Sequence, residues 1–280
     1  MRIVSVVSTK GGVGKTTVAA NLGGLLADAG LRVLLLDLDS QPTLSSYYAL
    51  NHKAIAGAYE FIALNLTAPE QIISRTMVTG LDLIISNDDQ GRLNTLLLHA
   101  PDGRLRLRNL LGNFRVGYDL LLIDTQGARS ALLEMAALVS DVALSPITPE
   151  MLAARELHRG TLKLLSELEP FRHLGITTPP LRLLLNQVNA RWKDTRMIIR
   201  GLRETFIKTP DISILDTVIP DRVAYLNAAS LGLPVHRIES HQSLERRSPS
   251  TLETMQALAA ELFPEWRSAI YTVNRVSVIK

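Results

Sequence analysis

Ser8-Thr9-Lys10-Gly11-Gly12-Val13-Gly14-Lys15-Thr16-Thr17 decides the fold. The stretch follows Ile3–Ser8, an apolar strand pattern, and opens Lys15–Ala29, an amphipathic helix pattern that stops at Gly30. A glycine-rich turn between a strand and a helix gathers unpaired backbone N–H groups at a positive dipole end, the surroundings a phosphate needs. Glycine is required where a Cβ would obstruct the approach or where the backbone turns left-handed. Gly11, Gly12, Val13 and Gly14 thus form the cradle. Lys15 reaches the β- and γ-phosphates, Thr16 offers a hydroxyl to Mg²⁺, and Thr17 touches the α-phosphate. With glycine near ~7% and Lys and Thr near ~5%, Gly-Gly-x-Gly-Lys-Thr-Thr arises by chance on the order of 10⁻⁵ times in a chain of this length.

Outward from that loop, apolar runs alternate with amphipathic ones. Strands are expected at Ile3–Ser8, Val33–Leu38, Leu81–Ser86, Leu120–Ile123, Val142–Pro146, Leu181–Leu185 and Ile214–Ile219. Their near-continuous Val, Ile and Leu content suits strands covered on both faces. Helices are expected at Lys15–Ala29, Ser130–Val139, Pro149–Glu169, Asp194–Lys208, Asp221–Leu231 and Thr251–Phe263. Such alternation implies right-handed crossovers and a three-layer α/β P-loop fold with a mostly parallel central sheet. No segment has the composition of a linker, so residues 1–265 read as one domain and 266–280 as a C-terminal tail.

Composition narrows the chemistry further. The chain has 280 residues, 46% of them hydrophobic and 20% charged, as in ordinary globular proteins. It has no cysteine, which removes disulfides, thiol nucleophiles, zinc–thiolate sites and cysteine-held iron–sulfur clusters. No apolar run approaches the ~18 residues that span a bilayer, and no signal peptide is recognisable, so a soluble, unprocessed chain is expected.

Acidic residues end two of the expected strands. Asp37 and Asp39 close the second, and period-two geometry puts both on one face. Strand C-termini are where ligands bind in open α/β sheets, although such a pair also serves as a turn or helix cap. Asp124 ends Leu120–Ile123 in the Walker B arrangement, an acid that holds Mg²⁺ through water.

The loop departs from the general pattern, with Thr9 where glycine is usual and Lys10 next to it. Its Lys-Gly-Gly-Val-Gly-Lys-Thr-Thr string resembles the deviant Walker A motif of the ParA/MinD family of ATPases. That resemblance implies ATP and Mg²⁺ as cofactors and an ATP-dependent nucleotide sandwich dimer. In it Lys10 reaches the second copy's nucleotide and, with Lys15, stabilises phosphoryl charge. It also implies that Asp39 positions the attacking water, that Asp37 supports Mg²⁺ beside Thr16 and Asp124, and that Asn186 reads adenine. Ile219-Pro220 would open the segment covering the base, as far as Gly232-Leu233-Pro234-Val235. Ser40 and Gln126 stand where the family commonly has proline. With eight residues before Thr9, no N-terminal helix-turn-helix domain is expected.

The net charge of +3 is unevenly spread, since residues 181–210 carry seven basic residues against Asp194 and Glu204. Arg196, Arg200 and Arg203 share one helical face, while Ile198, Leu202 and Phe206 take another. Such a stripe is either a solvated face or a surface that tracks phosphates without reading bases. The resemblance favours non-specific DNA, with Arg191, Arg196 and Arg200 as contacts. It implies a cytoplasmic, nucleoid-associated partition ATPase whose slow hydrolysis a ParB-like partner stimulates. Two alternatives stay open, a nucleotide-gated scaffold with negligible hydrolysis and a MinD-like positioning ATPase on a membrane. The latter would use a C-terminal helix carrying Trp266, Ile270 and Val273. The β-branched end Val276–Ile279 makes a membrane helix the less favoured of these.

Overall fold

The computed structural model describes residues 1–150, 152–189, 193–206, 209–241 and 248–273. Among the described residues nine strands form one sheet: β1 (Arg2–Val6), β2 (Val33–Asp37), β3 (Leu50–His52), β4 (Ser74–Thr76), β5 (Leu81–Ile84), β6 (Leu120–Asp124), β7 (Val142–Ile147), β8 (Leu181–Val188) and β9 (Ile212–Pro220). Their order is β3-β4-β5-β2-β6-β1-β7-β8-β9. All pairings are parallel except β3–β4 and β4–β5.

The seven expected strands are all present, and alternation within them builds two faces. Val33, Leu35, Leu120 and Leu122 pack on one side with the helices Lys15–Asp28 and Thr251–Leu262. Leu34, Leu36, Leu121 and Ile123 pack on the other with Arg92–His99 and Ala131–Val139. Further along that second face, Leu181, Leu183 and Leu185 of β8 meet Leu164, Leu202 and Phe206.

Three features depart from the sequence reading. Residues 47–80, where no strand is expected, contain β3 and β4, whose three residues each are too few to show alternation. The helix expected over Pro149–Glu169 is interrupted: Ala153–Leu157 and Lys163–Glu167 are α-helical, and His158–Leu162 between them is a π turn. There Gly160 lies so close to the phosphate loop that a Cβ would overlap Thr9 Oγ1, and Thr9 N–H donates to Thr161 Oγ1 at 3.4 Å. Finally, the segment after Pro264 is packed as far as Val273. Ile270 and Val273 are buried against Thr251–Leu262, and the buried Gln256 amide donates to their carbonyls at 3.0 and 3.1 Å. The apolar face that a membrane helix would use is therefore turned inward. Residues 274–280, with Val276–Ile279, lie outside the described residues.

Candidate functional site

Sheet register assembles the site. Asp124 pairs with Asp37 across β2–β6 and with Val6 across β1–β6, so both acids sit level with the start of the loop. Thr125 fixes this end of the sheet by donating its hydroxyl to Val6 O at 2.8 Å.

The loop has the shape a phosphate requires. Gly12 and Gly14 adopt φ of +74° and +86°, and Gly14 leads directly into the helix Lys15–Asp28. Behind the loop, Asn186 Nδ2 donates to Val13 O at 2.8 Å and Gln187 Nε2 to Gly12 O at 3.3 Å. A Cβ on Gly14 would overlap the Asn186 amide. In front of it, a Cβ on Gly127 would stand 2.8 Å from Gly11 Cα and 3.1 Å from Lys15 Nζ. Gly127 is thus the floor on which the loop and its lysine rest.

Lys15 is 7% exposed, and burial holds its pKa below the usual range against the opposing charges of Asp124 and Asp39. Thr16 Oγ1 donates to Asp124 Oδ2 at 2.6 Å. The other oxygen of the fully buried Asp124, Oδ1, has no hydrogen-bond partner among the described residues. Burial and the neighbouring Asp37 charge push the Asp124 carboxyl up to about 8. A buried carboxylate with an orphaned oxygen beside a threonine hydroxyl fits a hard divalent cation. Among the described residues no group of three or more His, Asp or Glu could enclose a metal. The cation would therefore share its shell with phosphate oxygens and water, as Mg²⁺ does.

Asp37 has a different environment. Its Oδ2 accepts from Ser45 N–H at 2.8 Å and Ser45 Oγ at 2.7 Å, and its Oδ1 accepts from Asp39 N–H at 3.0 Å. Burial nevertheless pushes this carboxyl to about 6. Three protein donors make Asp37 the anchor of the turn after β2. Ser86, just after β5, reinforces it by donating N–H to Ser45 Oγ at 2.8 Å and Oγ to Asp39 O at 2.6 Å. Asp39 itself accepts only from Gln41 N–H, at 3.0 Å, in the hydrogen bonds resolved for its side chain.

Raised carboxyl pKa values set the sign of a pH effect. Both groups bind protons more tightly folded than unfolded, so between about pH 4 and 8 the native state carries the extra protons. Stability without ligand should therefore fall as pH rises from about 4, less steeply above about 6, and level off above about 8. Thermal unfolding from pH 5 to 8.5, with and without Mg²⁺ and nucleotide, checks this, and the slope should flatten when both are added.

Lys10 lies at the rim. Its Nζ contacts Glu150 Oε2 at 2.7 Å and Glu156 Oε2 at 2.9 Å, and both contacts raise its pKa. No sequence signal marks these glutamates, because they meet Lys10 only through the fold. The same holds for Ser45, Ser86 and Gly160.

The remaining expected residues lie beyond the loop. Pro220 ends β9 opposite Val188. Arg196 and Arg200 are exposed on the helix Lys193–Phe206, whose Leu202 and Phe206 are buried. Arg200 pairs with Glu204 at 2.9 Å, and Arg191 lies outside the described residues.

A mostly parallel sheet with a left-handed glycine loop, a buried lysine and two acids at its carboxyl edge defines a P-loop nucleotide-binding protein. A family model described as an AAA domain matches residues 1–173. The sporulation initiation inhibitor protein Soj of Bacillus subtilis (strain 168) is 28% identical over 84% of this chain and 90% of its own. A ParA family protein of Chlamydia pneumoniae is 31% identical over 84% of this chain and 89% of its own. Among solved structures, the ATP complex of a Cyanothece McdA variant superposes with a TM-score of 0.74 at 21% identity, covering 100% of this chain and 97% of that one. The chain belongs to the ParA/MinD-type family of P-loop ATPases.

Proposed function

We propose that the protein is a ParA-type ATPase for DNA partition, serving a chromosome, a plasmid or an integrated mobile element. The observation that carries this reading is the placement of Lys10 at the rim of a loop whose floor holds Lys15, Thr16 and Asp124. ATP lies with its phosphates in the N–H cradle of Gly11–Thr17, and Lys15 faces the β- and γ-phosphates. Mg²⁺ at Thr16 and Asp124 supplies neutralisation of phosphate charge. Asp39 orients the attacking water, Asp37 holds the turn that presents Asp39, and Asn186 and Pro220 lie on the base side. Lys10 exchanges its two glutamates for the phosphates bound by a second copy and completes an ATP-dependent homodimer. A cation placed there acts on transferring charge as an arginine finger does.

The dimer then holds DNA through phosphate contacts from Arg191, Arg196 and Arg200, without base readout. Hydrolysis is slow alone, is stimulated by a ParB-like partner and releases the DNA. Within a cell the protein is cytoplasmic and associated with the nucleoid. A membrane cycle is less favoured because Ile270 and Val273 already pack internally, and no described helix is long and apolar enough to cross a membrane.

The test is binding of a non-specific duplex in Mg·ATP, in Mg·ADP and without nucleotide, at two salt concentrations. Binding should require ATP and weaken with salt. It should fall by about tenfold or more in Arg196→Glu/Arg200→Glu, since each lost phosphate contact lowers both affinity and salt slope. If no nucleotide state binds DNA, the partition reading is wrong.

A further inference from the structure

Asn21 lies one helical turn beyond Thr17 on the helix that the phosphate loop opens, and it is fully buried. Its amide joins three parts of the chain. Nδ2 donates to Thr17 O at 2.7 Å, within the helix. Oδ1 accepts from Val235 N–H at 2.6 Å, in the segment that follows β9 and the helix Val223–Leu231. The Tyr47 hydroxyl lies 3.1 Å from Nδ2 and 3.3 Å from Oδ1. A carbonyl can only accept and a backbone N–H can only donate, so Thr17 and Val235 together fix which way the amide faces.

Tyr47 belongs to the turn that carries the acids. Tyr47 N–H donates to Leu44 O at 3.1 Å, and Ser45, two residues earlier, holds Asp37 and Ser86. The turn is thus pinned on its sheet side by Ser45 and on its helix side by the Tyr47–Asn21 contact. Val235 is tied to the same helix a second time, because its neighbours His236 and Arg237 reach Asp28 at 2.8 and 2.7 Å. The Asp28 hydrogen bonds reach only the 236–237 side of that segment. Gly232 lies against the backbone of Tyr47 and Ala49, and Asn21 is the residue among these whose side chain hydrogen-bonds both the segment and the turn.

We propose that Asn21 is a positioning residue that couples the 220–235 segment to the placement of Asp39. The inference rests on the ATPase reading above. A buried, fully used amide transmits displacement because none of its three partners can move without leaving a polar group unpaired. Because Val235 N–H already holds Oδ1 at 2.6 Å, a shift of the 220–235 segment moves the amide, and Tyr47 shifts with it. A nucleotide whose base is seated thereby sets the water-positioning turn.

Two measurements on Tyr47→Phe and Asn21→Ala test this. Tyr47→Phe removes one hydroxyl and keeps the ring, which packs on Tyr48 at 4.9 Å between centroids. It therefore disturbs the fold less than Asn21→Ala, which empties a buried site. The first measurement is steady-state ATP hydrolysis. In Tyr47→Phe kcat should fall about tenfold while KM changes less than about twofold, the pattern of a group that acts on the chemical step and not on uniform binding. The second is amide hydrogen exchange with a non-hydrolysable ATP analogue and Mg²⁺. In the unmodified protein the analogue should slow exchange in both 39–48 and 233–238, and in Tyr47→Phe only in 233–238. Slowing in both segments of the variant, or an unchanged kcat, would overturn the coupling. A protein that hydrolyses no ATP would overturn the functional reading instead, and the exchange pattern would still decide whether the segments are linked.

Discussion

Replacing Asp39 with alanine should abolish most ATP turnover while leaving the nucleotide bound. The backbone of the turn does not depend on the Asp39 side chain: its N–H is held by Asp37 Oδ1 at 3.0 Å and its carbonyl by Ser86 Oγ at 2.6 Å. What the substitution removes is one carboxylate, whose resolved hydrogen bond goes to Gln41 N–H, and with it a charge near Lys15 and Asp124. Losing a group that orients or deprotonates water costs ~10²–10⁴-fold in rate. Affinity for Mg·ATP should hold or rise slightly, because a negative charge near the phosphates is gone. Phosphate release set beside equilibrium binding of ATP separates the two effects. A variant that turns over normally would remove Asp39 from the mechanism.

Gly127→Val should have the opposite signature, loss of nucleotide binding first. The Cβ would stand 2.8 Å from Gly11 Cα and 3.0 Å from Gly11 N, so the obstacle is loop backbone and not the end of a flexible side chain. The γ-methyls add bulk towards Lys15 Nζ, already 3.1 Å from that Cβ position. Relief requires the loop to lift from its floor, which spoils the N–H cradle. Overpacking of this kind typically costs ~1–3 kcal/mol of stability. Affinity for ATP should fall by ~10²–10⁴-fold if about two of the cradle's hydrogen bonds to phosphate are lost, at roughly 1.5–3 kcal/mol each. Calorimetric titration with Mg·ATP and a thermal melt measure both effects. Gly127→Ala, lacking the γ-methyls, should be milder on both counts.

The contrast between these residues shows what a sequence makes legible here. Asp39 stood out locally as an acid after a buried strand at a period-two distance from Asp37, and its role came from the resemblance of that segment to the family's motif. Gly127 follows Asp124 by three residues and nothing local marks it, since its obligation comes from Gly11, more than a hundred positions away. Lys10 was legible as a second lysine on the loop, whereas its partners Glu150 and Glu156 were not. Strands buried on both faces, such as Leu120–Asp124, declare themselves through unbroken apolar runs. The three-residue β3 and β4 at the sheet edge do not, because their pairing is tertiary. The π turn at His158–Leu162 is likewise invisible, as a helical hydrophobic pattern continues through it and only contact with Thr9 explains it. Asn186 was expected on the base side, and the structure adds a contact to Val13 O that no strand-end pattern could reveal.

The level register of Asp37 and Asp124 also bears on how the chain can vary in length. Deleting or adding one residue inside β2 or β6 would turn the side chains between the change and the acid to the opposite face. An acid would then point into a hydrocarbon layer and leucines into the phosphate pocket. Both strands are therefore rulers of fixed length that end level with the glycine loop. Length changes can be absorbed instead between β3 and β4, short strands that pair outside this measured frame.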